Sequence, residues 1–155
     1  MKLFSRILCP VDFDRDSDAA LALALRLAQQ NGASLALLNV APLPIGAAEM
    51  SPVPLDPYPF WEKTCRARLE KIGREVVDGK VPYETLIASG DPATAILTTI
   101  GEINADLVVM GTHGRTGISR VLLGSVAEKV VREASVPVLT LHPTERRLPV
   151  ETAER

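Results

Sequence analysis

Five short apolar segments, residues 7–11, 35–40, 81–88, 106–110 and 136–141, alternate with stretches whose apolar residues recur every three or four positions. No other feature constrains the fold so strongly. An apolar run of strand length without polar alternation suits a strand buried on both faces. Helical stretches between such strands act as right-handed crossovers and make the strands parallel. The expected architecture is α/β, a single open five-stranded parallel sheet with helices on both faces. Composition agrees: with 46% hydrophobic but only 4% aromatic residues, the core is one of Ala, Leu, Val and Ile, as in helices laid on a parallel sheet.

Local signals place the helices. Asp16, Ser17 and Asp18 offer N-cap side chains to a helix running from Ala19 to the Asn31-Gly32 pair, which reads as a C-cap. Residues 42–59 hold six prolines and read as a loop. Trp61, Cys65, Leu69, Ile72 and Val76 predict an amphipathic helix. In Gly90-Asp91-Pro92 an acidic N-cap precedes a proline at the first helical position, opening a helix that ends near Asn104. A last helix is expected from Ser125 to Ala134. Residues 1–143 read as one domain, and residues 144–155, without core periodicity, as a mobile tail.

A formal charge of −2 supplies no basic field for general nucleic-acid binding. No stretch approaches the ~20 apolar residues of a membrane span, and the first apolar run, broken by Arg6 and Asp12, is too short for a signal peptide. Cys9 and Cys65 are far apart and fit buried hydrophobes in a reducing compartment. Neither they nor His113 and His142 show metal-ligand spacing. The expected location is cytoplasmic, with no nucleic-acid or membrane partner.

The chemistry concentrates after the fourth apolar segment. Between Gly111 and Ser125 lie Gly111, Gly114, Gly117 and Gly124, with His113, Arg115 and Arg120 among them. Glycines let a backbone approach phosphate, and the helix opening at Ser125 presents N–H donors and the positive end of its dipole. The spacing Gly111-x2-Gly114-x9-Gly124-Ser125 is neither the P-loop nor the dinucleotide fingerprint. Ser125 and Glu128 also match a capping box. Asp12, Val40 and Gly111 close the first, second and fourth apolar segments, and ligands of open parallel sheets bind beyond such carboxyl ends.

Together, Ile7-Leu8-Cys9-Pro10-Val11-Asp12, Gly90-Asp91-Pro92, the Gly111 to Arg115 stretch and Gly124-Ser125-Val126-Ala127-Glu128-Lys129-Val130 resemble the universal stress protein family, in its ATP-binding type. The resemblance covers about residues 2–142. It implies strand order 3-2-1-4-5 in a Rossmann-like adenine nucleotide-binding fold, ATP or another adenine nucleotide with Mg²⁺ held mainly by phosphates, and a homodimer. By the same resemblance Pro10, Val11 and Asp12 border the adenosine, Val40 meets the adenine edge, and Met110 and Gly111 lie under the nucleotide. Gly114, Arg115, Gly124, Ser125 and Val126 surround the phosphates, while Ala127 stands where relatives can carry a second hydroxyl.

Plainer readings stand beside these. Asp12 also suits a loop carboxylate or an N-cap, His113 a loop residue or a phosphate or ribose contact, and Arg115 and Arg120 solvated charges. Met110 is a core residue first. Segment 136–141 would lie at the sheet edge with few charges and is the expected homodimer strand. Segment 42–59 is a candidate flap. A regulatory module with an unknown downstream partner is the leading function; a slow ATPase or nucleotidyl-transfer enzyme, and a dimer with a vestigial site, are its rivals. With His113 the sole base in the glycine-rich stretch, turnover is expected at least a hundredfold below roughly 1 s⁻¹.

Overall fold

A computed structural model of the chain describes residues 2–41, 58–112 and 123–142. In chain order these form β1 (Arg6–Pro10), α1 (Arg15–Asn31), β2 (Ser34–Ala41), α2 (Tyr58–Ile72), β3 (Tyr83–Ser89), α3 (Pro92–Glu102), β4 (Leu107–Gly111), α4 (Ser125–Glu133) and β5 (Val138–Leu141). All pairings are parallel, in the order β3-β2-β1-β4-β5. The expected α/β architecture and strand order are both present.

Alternation along the central strands separates two cores. Ile7, Cys9, Leu35, Leu37, Leu107 and Val109 join Ala20, Leu21 and Ala24 of α1 and Leu69 of α2. Leu8, Ala36, Leu38, Val108 and Met110 join Ala93, Ile96 and Ile100 of α3 and Ala127 and Val130 of α4. Each central strand is therefore covered on both faces, which explains its apolar run. Burial raises the Cys9 thiol to about 12, keeping it a neutral core residue.

Several boundaries shift for identifiable reasons. Helix α1 begins at Arg15, four residues before Ala19, because Asp14 is its N-cap: Asp14 Oδ1 accepts the Ser17 N–H at 2.9 Å. Asp16, Ser17 and Asp18 lie in its first turn instead of capping it. Gly32 closes the helix as expected, at φ 60° with its N–H on the last carbonyls. Pairing of β3 and β5 starts late because Pro82 and Pro137 have no N–H to give; each offers only its carbonyl, to Leu35 and Val108 at 2.9 and 3.0 Å. Helix α2 starts at Tyr58, with Pro59 in its first turn, where a missing N–H does no harm. It then widens into a π turn at Gly73–Val77. There Gly73 is needed for space, since a Cβ would lie 2.5 Å from the Tyr83 ring.

Of the loop and flap expected at 42–59, residues 58 and 59 belong to α2 instead, while residues 42–57, 113–122 and the expected mobile tail at 144–155 lie outside the described residues. Among the described residues no helix is long and apolar enough to cross a membrane.

Candidate functional site

The carboxyl ends of β1, β2 and β4 bring together residues that are far apart in the chain. Register places Pro10 beside Leu38 and Leu8 beside Val108. Just past β1, the Val11 N–H donates to the Leu38 carbonyl at 2.8 Å. The Val11 carbonyl in turn accepts the Asn39 side-chain N–H at 2.7 Å. Both backbone groups of Val11 are thus fixed to β2, and Asp12 is the first residue to leave the sheet.

Asp12 is half-buried, and its Oδ1 accepts the Asp14 N–H at 3.2 Å. Loss of solvent raises its carboxyl to about 6, and the hydrogen bond and charge of the Asp14 side chain add to the rise. Between these acids Phe13 has φ 67°, a left-handed conformation unfavourable for a bulky side chain. The turn is held from outside: the Arg68 guanidinium of α2 lies 4.1 Å from the Phe13 ring centroid, a cation–π contact.

At the end of β4, Met110 is 5% exposed, with its side chain in the core shared with α3 and α4. The plain reading of Met110 as a core residue therefore holds for its side chain. At Gly111 the chain runs close against α1: a Cβ there would lie 2.8 Å from the Asp16 Cβ and 3.0 Å from its backbone carbon. Helix packing alone requires this glycine, whatever lies above it.

Thr112 then anchors both sides of the opening. Its N–H donates to the Leu141 carbonyl at 3.0 Å, and its carbonyl accepts the Gly124 N–H at 2.7 Å. Its hydroxyl meets His142 Nδ1 at 3.2 Å. The bond from Gly124 brings the start of α4 against the end of β4. The expected capping box does not form: Gly124 is the N-cap, Ser125 is already helical, and no side chain of the described residues caps the helix. Gly124 has φ −60° and ψ 156°, which any residue can adopt, so a need for glycine there would come from space alone. Ala127 is buried and Val126 partly so, both packed on the second core.

Pro10, Val11, Asp12, Val40, Met110, Gly111, Gly124, Ser125 and Val126 are thus at one sheet edge or the helix start beside it, while His113, Gly114, Arg115 and Arg120 lie outside the described residues. Sequence reasoning missed Asn39, Thr112 and His142. Asn39 left a signal, as the one polar residue in the apolar segment 35–40; the pairing of Thr112 with His142 spans 30 positions and left none.

Residues 3–142 match the Universal stress protein family. The chain belongs to that family. This universal stress protein is 37% identical over 144 residues to the "universal stress protein in QAH/OAS sulfhydrylase 3'region" of Thermus aquaticus, covering 88% of this chain and 98% of the relative. It is 32% identical over 147 residues to universal stress protein MJ0531 of Methanocaldococcus jannaschii, covering 90% and 82%. Among solved structures, a universal stress protein in complex with cAMP aligns with TM-score 0.67 over 90% of this chain and 97% of its own, at 23% identity, a likeness of fold.

Proposed function

We propose that this universal stress protein binds an adenine nucleotide, ATP foremost, at the carboxyl edge of β1, β2 and β4, and works as a stress-response regulatory module whose occupancy orders the 111–124 stretch and alters partner binding. The start of α4 is the observation that carries this reading. Among the described residues it has no side-chain cap, and it is bonded to the end of β4 through Gly124 and Thr112. First-turn N–H groups and the helix dipole suit an anion, so Gly124, Ser125 and Val126 would take the phosphates. Pro10, Val11, Asp12 and Val40 would border the adenosine, over Met110 and Gly111, with His113, Gly114 and Arg115 completing the phosphate side. Mg²⁺ would arrive on the nucleotide, held mainly by phosphate oxygens.

Calorimetric titration of the protein and of Gly124→Val with ATP, ADP, AMP and cyclic AMP tests the site. The backbone at 124 accepts valine, whereas phosphate approach does not. Losing two charge-assisted bonds at ~1.5–3 kcal/mol each predicts at least a hundredfold weaker binding. A variant that binds ATP like the parent places the site elsewhere.

The same reading includes a homodimer through β5, in the cytoplasm. Support comes from β5 pairing, among the described residues, with β4 alone and from the exposure of Leu139 and of Val131 on the neighbouring helix. Light scattering at micromolar concentration should give twice the chain mass; the mass of a single chain would refute the dimer.

A further inference from the structure

Asn39 does not fit its strand as a packing residue. It is 5% exposed on the face of the sheet that carries Leu35, Leu37 and Ile87. Its Nδ2 is used, but its Oδ1 is buried with no hydrogen-bond partner among the described residues. A half-satisfied amide in a core is less stable than an apolar side chain of similar size, so packing gives no reason for asparagine. The reason lies in the bond from Nδ2 to the Val11 carbonyl, a contact across 28 positions at the point where the chain leaves the sheet. Beyond it come Asp12, the left-handed Phe13 and the Asp14 cap of α1. A left-handed Phe persists only where its surroundings hold it from both sides. On the far side the holders are the Asp14 cap and Arg68; on the near side, it is Asn39.

We propose that Asn39 is a positioning residue that fixes the Val11–Asp12 peptide, so that the Asp12 carboxyl points at the ligand in one orientation. This rests on the adenine-nucleotide reading of the site, and it assigns to that site a residue that acts without touching the nucleotide. The side chain of Asn39 would act on affinity only through Asp12. The two residues should therefore be coupled, although they belong to different strands.

The test is a double-mutant cycle on the full chain with ATP as the probe. Asn39→Leu and Asp12→Asn should each weaken binding about tenfold, and the double variant should lose little more than either alone. Parent-like binding by Asn39→Leu, or an additive loss of about a hundredfold in the double variant, overturns the proposal. Should Asn39→Leu fail to fold, Asn39→His takes its place. Its ring Nδ1–H is as far from Cβ as the amide nitrogen, so parent-like affinity supports the proposal and a tenfold loss refutes it.

A second readout needs no nucleotide and separates this proposal from the reading beneath it. Carbon NMR titration of Asp12, with Asp14 and Asp16 followed as the neighbouring acids, should show the Asp12 midpoint falling from about 6 toward the ordinary carboxylate range in the position-39 variant that lacks the donor. If the parent binds none of the nucleotides but this midpoint moves, the functional reading fails and the positioning role stands. An unmoved midpoint removes the role even if ATP binds.

Discussion

Helices α3 and α4 pack on each other and each follows a strand of the same sheet, yet among the described residues a side chain caps the start of one and none caps the other. At α3, Asp91 Oδ2 accepts the Thr94 N–H at 2.9 Å and the Thr94 hydroxyl at 2.6 Å. Lys129 reaches across from α4 to the same carboxylate at 3.4 Å and to the Thr94 hydroxyl at 3.2 Å. The positive end of that helix is answered by the protein's own acid. At α4 the cap position is a glycine whose only role in the fold's hydrogen bonding is through its backbone, to Thr112 and Glu128. On the proposed reading, the contrast is between a helix start that the protein caps itself and one that an external anion would complete.

The sharpest way to break this contrast is to give α4 the cap that α3 has. Gly124→Asp supplies a side-chain acceptor at a backbone conformation an aspartate adopts freely. It should stabilise the helix by a few tenths of a kcal/mol while placing a negative charge where phosphate would bind. We expect ATP affinity to fall at least a hundredfold with no decrease in melting temperature, measured by calorimetric titration and thermal denaturation. A variant that both binds ATP and melts like the parent would show that the open start has no ligand.

The reverse change should act on stability alone. The Thr94 hydroxyl bond, with the Thr94 N–H and Lys129, holds Asp91 below the usual carboxylate range. Such a group stabilises the fold above its ordinary value and loses that contribution as pH falls through its lowered one. Asp91→Ala should therefore melt below the parent at pH 7, and the gap should close in acid. ATP affinity should stay within about twofold. A large affinity loss would mean that both helix starts serve the ligand.

The smallest effect belongs to Asp12, whose shift has the opposite sign. Burial raises it to about 6, so the folded state holds a proton that the unfolded chain releases at its ordinary value near 4. Stability from this group is complete below about 4, declines as pH rises, and is lost above about 6. Asp12→Asn, which resembles the protonated form, should melt slightly above the parent at pH 7 and alike at pH 4. Equal melting at both pH values would show that Asp12 is solvated like a surface acid.

What could be read from the sequence was local or periodic. Apolar runs marked the central strands because burial on both faces leaves few polar positions. Asp91 before Pro92, and Gly32 after Asn31, marked helix ends because caps involve residues within one turn. The capping box at Ser125 was equally local and did not form, since the Gly124 N–H bonds to the Thr112 carbonyl and Gly124 becomes the cap. Only tertiary structure decided that Gly111 is demanded by Asp16, that Asn39 holds Val11, and that Thr112 meets His142. These contacts join residues 28 or more positions apart. A side chain's local propensity carries no record of a neighbour that only the folding of the sheet brings near.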